Sequence, residues 1–134
     1  MNFRLAKRSD KEFIKKLYKQ SANEIGNFNL FWTWDKYLSR EANHKFYVIE
    51  NMGFMRIGYS KKYKSYVLYE IAVDIDCKQK GVGKKLYNNI PKPLMLKCNK
   101  DNHIGNKFYK KMGMIKSGET KTSKGIEQNI WTSI

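Results

Sequence analysis

With 134 residues, 41% of them hydrophobic and 29% charged, the chain is expected to form one domain over 1–134 with a core of its own. No apolar run approaches a membrane span, MNFRLAKRSDKEF lacks the apolar stretch of a signal peptide, and Cys77, Cys98, His44 and His103 have neither disulfide-framework nor metal-site spacing. A cytoplasmic chain with free thiols, no metal and no membrane partner is therefore expected, and its net charge of +15 suits either an acidic partner or a solvated lysine surface.

Residues 2–6 alternate weakly and predict a first strand. Ser9-Asp-Lys-Glu12 reads as a capping box, opening a helix whose Phe13, Ile14, Leu17 and Tyr18 share one face. Gly26 closes that region. Phe28 to Tyr37 is the most aromatic stretch of the chain, and a second helix is expected near 34–42. Phe46 to Glu50 and Phe54 to Tyr59 predict two strands joined by the tight turn Asn51-Met52-Gly53. After a lysine-rich turn, Tyr66 to Val73 predicts a longer strand, completing an antiparallel meander.

The stretch Tyr69 to Tyr87, YEIAVDIDCKQKGVGKKLY, reads as strand, glycine turn and helix. Unpaired N–H groups at a helix start, with the positive end of the dipole, make such a turn suited to an anion. Gly81 and Gly83 let backbone approach a phosphate because no Cβ intervenes. The spacing fits neither a Walker loop, which needs four residues before Gly-Lys-Ser/Thr, nor a Rossmann fingerprint, whose third glycine falls on Leu86. Pro91 and Pro93 keep the helix short. Leu94 to Leu96 predicts a buried strand, Asp101 or Asn102 starts a last helix, and Gly113 is expected to end it. Gly113 to Lys116 and Ile126 to Thr132 predict a closing hairpin.

Lys78-Gln79-Lys80-Gly81-Val82-Gly83 resembles motif A of the GNAT superfamily of acyl-CoA-dependent N-acetyltransferases, Gln/Arg-x-x-Gly-x-Gly/Ala, with Lys78 in place of Gln or Arg. Asn102 to Met114 resembles that superfamily's Asn-x-x-Ala-x-x-Phe-Tyr-x-x-x-Gly-Phe, with Gly105 for Ala and Met114 for Phe. The predicted order, β-α-α-β-β-β-α-β-α-β-β, resembles the GNAT fold over nearly the whole chain, an α/β fold around a mostly antiparallel, splayed sheet.

The resemblance implies transfer of acetyl from acetyl-CoA directly to a primary amine. It implies cofactor contacts at Ala72, Val73, Lys78, Gln79, Lys80, Gly81, Val82, Gly83, Lys84, Asn102 and Phe108, with Asn102 bonding the pantetheine arm. It implies Tyr109 as the acid that protonates the thiolate. Glu70, the only carboxylate inside the strand before the loop, is the candidate base, with pairing to a surface lysine as its plainer role. Family members with a Glu one residue earlier have it where this chain has Tyr69, expected on the opposite face of the strand; others have it where Lys97 stands. Trp32, Trp34 and Tyr37 fall where the family builds a wall of its acceptor site, and either stack on a planar substrate or pack the second helix. The alternatives are an enzyme of this fold that modifies nucleic acid, such as DNA, or aminoacyl-tRNA, and a non-catalytic module binding CoA or nucleic acid.

Overall fold

The computed structural model describes residues 2–21, 30–40 and 43–133; of Leu30, Phe31 and Trp32 it describes the backbone alone. The elements are β1 (Phe3–Leu5), α1 (Lys11–Gln20), α2 (Leu30–Leu38), β2 (His44–Ile49), β3 (Gly53–Ser60), β4 (Ser65–Val73), α3 (Val82–Asn88), β5 (Leu94–Asn99), α4 (His103–Lys111), β6 (Ile115–Lys121) and β7 (Glu127–Thr132). The order is the expected one. The strands form one mixed sheet, β1-β2-β3-β4-β5-β7-β6, in which β4 and β5 are parallel and every other neighbouring pair is antiparallel.

Helix α1 buries Ile14 and Leu17 completely, as its apolar spacing demands. Its start differs from the capping box read at Ser9. Ser9 lies in a 3₁₀ turn, Arg8–Asp10, and Asp10 takes over the junction. Its carboxylate accepts the Lys7 N–H at 2.6 Å and two guanidinium bonds from Arg4 at 2.7 and 3.0 Å, tying β1 to α1. The Arg4 guanidinium holds the Asp10 carboxyl below the ordinary carboxylate range. Helix α2 begins earlier than the aromatic pattern suggested and stops before Arg40, whose φ of 61° leaves the helical region.

Two cores flank the sheet. On one face Ile14, Leu17 and Trp34 pack on Phe46, Val48, Phe54 and Ala72, beneath α1 and α2. On the other, α3 and α4 set Val82, Leu86, Tyr87 and Tyr109 against Met55, Leu68, Leu94, Leu96 and Trp131. Strand β5 runs three residues past the predicted Leu96, because Cys98 still faces that core and Asn99 pairs with Gln128 of β7. Helix α4 ends as expected at Gly113 (φ 90°), where Gly113 N–H bonds Lys110 O and Met114 N–H bonds Tyr109 O.

Candidate active site

Strands β4 and β5 pair only at Tyr66↔Leu94 and Val67↔Met95, near their beginnings. Beyond Val67 the two strands share no rungs, so the sheet splays and the edge of β4 from Leu68 to Val73 has no partner on its β5 side. Unpaired strand edge carries free N–H and C=O groups and is a template for an extended ligand.

A β-bulge sets which side chains face which side of this cleft. Arg56 pairs with Glu70 and Ile57 with Leu68, leaving Tyr69 as the extra residue of β4. Before the bulge Leu68 faces the α3–α4 core, whereas after it Ile71 and Val73 do, so the alternation changes phase. Glu70 and Ala72 are thereby turned to the α1–α2 side. Ala72 packs in the core there, and only its backbone lines the cleft.

The bulge also corrects the expectation that Tyr69 and Glu70 point to opposite faces. The Arg56 guanidinium lies 4.4 Å from the Tyr69 ring centroid and donates to both Glu70 oxygens, Nε–Oε1 at 2.8 Å and Nη2–Oε2 at 2.7 Å. Tyr18 of α1 donates its hydroxyl to Glu70 Oε1 at 2.5 Å. Burial, and then the Glu70 charge, raise the Tyr18 hydroxyl far above an ordinary phenol. The partner of Glu70 is thus the half-buried Arg56 guanidinium and not a surface lysine.

At the open end of the cleft, α1 anchors the turn that leaves Val73. Asp74 accepts from Lys16 Nζ at 2.9 Å and from its own turn at Asp76 N–H, and Gln20 Oε1 accepts from Ile75 N–H. Gln79 (φ 65°) and Gly81 (φ 79°) then swing the chain into α3. A Cβ at Gly81 would meet nothing within 4 Å, so the loop is open there. The N–H groups of Val82, Gly83 and Lys84 open the helix without intrahelical acceptors or a side-chain cap. Lys78, Lys80 and Lys84 are exposed around them, while the Val82 side chain is buried in the core and offers the loop only its backbone. At Gly83 a Cβ would stand 3.5 Å from Phe108 Cε1 and 3.8 Å from Val73 Cγ2, so β4, α3 and α4 converge on this glycine. The free N–H groups, the open glycine and the lysines together fit a pyrophosphate.

On α4, Asn102 accepts the Gly105 N–H at 2.9 Å as N-cap, and a Cβ at Gly105 would stand 2.7 Å from Asn102 Nδ2, which accounts for glycine there. Tyr109 is 8% exposed, and its hydroxyl makes no hydrogen bond to a described residue. Burial keeps that phenol protonated well beyond its ordinary range, with Cys98 and Tyr87 adding to the effect. Sequence reasoning missed Asn106. Its Nδ2 donates to the carbonyls of Asn99 (2.9 Å) and Asn102 (2.8 Å), and its Oδ1 accepts from Trp131 Nε1 (2.9 Å) and Asn129 Nδ2 (3.1 Å). One side chain thus fixes α4 to β5 and β7, three residues before Tyr109. Its signal was an amide among lysines on a helix, indistinguishable from a solvated residue.

The aromatic stretch divides. Trp34 is fully buried, its ring 5.1 Å from Phe46 and 5.4 Å from Tyr37, so it packs α2 and has no face for a substrate. Tyr37 donates to Ala6 O at 2.7 Å and borders a cavity of about 510 Å³ with Leu38, Arg40 and His44. The Trp32 side chain lies outside the described residues.

Residues 42–114, more than half of the chain, match the family model of the acetyltransferase (GNAT) domain. The chain belongs to the GNAT family. It is an acetyl-CoA-dependent N-acetyltransferase, moving an acetyl group from acetyl-CoA to an amine. Its fold is shared with a putative GNAT acetyltransferase from Desulfovibrio desulfuricans (TM-score 0.79, 16% identity, 98% of this chain and 96% of that one). A spermidine N-acetyltransferase mutant from Vibrio cholerae is also similar (0.78, 14%, 100% and 95%). So is a putative acetyltransferase from Salmonella typhimurium solved with acetyl-CoA (0.75, 15%, 98% and 92%). No curated protein gave a significant match.

Proposed function

We propose that this GNAT enzyme, a single domain acting in the cytoplasm, binds acetyl-CoA along the unpaired edge of β4 and acetylates the primary amine of a peptide or small molecule. The observation that carries this reading is the junction at Gly83, where the end of β4, the open N–H groups of α3 and the ring of Phe108 meet. In this reading Lys78, Gln79, Lys80, Gly81, Val82, Gly83 and Lys84 hold the pyrophosphate. The backbone of Ala72 and Val73 and the cap at Asn102 flank the pantetheine arm. Its thiol end then lies toward the vertex at Val67 and Met95.

Acetyl-CoA supplies the acetyl group as a thioester. A β4 backbone N–H polarises its carbonyl, the neutral amine nitrogen forms the new C–N bond, and the C–S bond breaks. Tyr109, whose phenol stays protonated at neutral pH and whose hydroxyl bonds no described residue, gives its proton to the departing sulfur and regains one from water. Glu70, held by Arg56 and Tyr18, acts as a positioning residue for the α1 side of the cleft, and the proton lost by the amine leaves through water. A nucleic-acid acceptor gains support from the lysine-rich surface but not from Trp34, whose buried ring stacks on no base. The test is Tyr109→Phe, which keeps the packing. Free-thiol release with any working amine is expected to fall roughly 10²-fold, with CoA affinity nearly unchanged. Full turnover in the variant would return Tyr109 to a packing role.

A further inference from the structure

No described helix covers the sheet beyond β4 on the α1–α2 side, and there the side chains of β5, β7 and β6 form a groove of about 420 Å³. It runs from the β3–β4 turn at Tyr63 and Lys64 past Met95, one half of the last rung before the splay, and from β5 crosses two strand spacings to Thr120 of β6, roughly 10 Å. It therefore opens beside the vertex, on the face opposite α3 and α4. Its charge has one sign. Lys64 and Lys97 line it, and no carboxylate does among the described residues. Lys97 Nζ stands 3.4 Å from the Tyr63 hydroxyl, and that lysine, first among its neighbours, lowers the proton affinity of Tyr63. The hydroxyls of Thr120 and Thr132 also line the groove and make no hydrogen bond to a described residue.

We propose that this groove binds an acidic stretch of a peptide acceptor, carboxylates meeting Lys97 and Lys64 while the amine to be acetylated reaches the vertex beside Met95. The proposal rests on the acetyl-transfer reading above and specifies its acceptor. Compact ammonium charges and free hydroxyls match carboxylates, and a groove that crosses three strands takes a chain and not a lone ion. A nucleobase finds no platform. The exposed ring here, Tyr63, already has the ammonium groups of Lys62 and Lys97 at 5.2 and 5.6 Å from its centroid. A polyamine would meet like charge.

Peptides with a common first residue, followed by Glu-Glu, Gln-Gln or Lys-Lys, are the probes, with spermidine and an amine-tagged oligonucleotide as rivals. Thiol release from acetyl-CoA is expected to give a KM for the Glu-Glu peptide at least about tenfold below that of Gln-Gln, the gap closing as salt rises. The double variant Lys64→Glu, Lys97→Glu should reverse the preference toward Lys-Lys, leaving the KM for acetyl-CoA unchanged. Fluorescence anisotropy of labelled Glu-Glu peptide reads the same contact without turnover, so failure of transfer alone counts against the catalytic reading and loss of binding against the groove. Equal KM values for Glu-Glu and Gln-Gln, a preference that the double variant does not move, or better turnover of spermidine or the oligonucleotide would overturn the proposal.

Discussion

Arg56 joins Tyr18, Tyr69 and Glu70, side chains that lie on two elements and up to 52 residues apart in the chain. Its side chain is 13% exposed and that of Glu70 8%, so the pair is sheltered from the screening that makes surface ion pairs weak. Removing the cation leaves a buried carboxylate facing a phenol. Arg56→Gln is expected to destabilise the fold by about 3 kcal/mol, read as a lower urea midpoint at unchanged slope. A loss under about 1 kcal/mol would mean that water already shares Glu70. None of this was legible beforehand. The run Tyr66 to Val73 carries no mark of a bulge, and without it Tyr69 is assigned to the face opposite Glu70 and Arg56 to no role.

At the scale of elements, local signals were readable and long-range ones were not. Gly81 and Gly113 announce a loop and a helix end because their positive φ values favour residues without a Cβ, and Pro91 and Pro93 limit α3 for equally local reasons. The cap at Asn102 belongs with them. The start of α1 was misread because the acid that governs it, Asp10, answers to Arg4 on β1 and not to its own helix. Trp34 was open between packing and stacking until its neighbours across the sheet were known. The placement of α4 rests on Asn106 in the same hidden way. Asn106→Ala would strand the indole N–H of Trp131 and take one of two hydrogen bonds from each of the carbonyls of Asn99 and Asn102, which keep the backbone N–H groups of Asn102 and Asn106, at a cost of roughly 1–3 kcal/mol. Turnover should fall as well, since Tyr109 is carried on the same helix. Asn106→Ala with unchanged stability and kcat would show that α4 is positioned by its apolar face alone.

The whole molecule carries its response to acid in a few groups. Burial, then the nearby charge of Arg56, pushes His44 down to about 4, so its imidazole is neutral in the folded protein at neutral pH. An unfolded chain protonates that histidine near 6.5, so the stability it contributes is full above that value and is lost as pH falls toward 4. Asp10 and Glu119, held below the ordinary range by Arg4 and by Lys100 and Lys116, contribute stability present above about 4 and lost as pH falls further. The melting temperature is therefore expected to be flat between about pH 7 and 8 and to fall from about pH 6.5 downward, with the His44 ring titrating near 4 in the folded protein by NMR. A ring that titrates near 6.5 would place His44 in contact with solvent. Backbone amide shifts on CoA addition report directly where CoA lies. Shifts concentrated at Val82, Gly83 and Lys84 and along β4 from Leu68 to Val73 are predicted, weakened in Gly83→Asp and kept in Gly83→Ala, whose added methyl makes only ordinary contact with Phe108. Saturable shifts elsewhere, or none in these two segments, would contradict that placement of CoA.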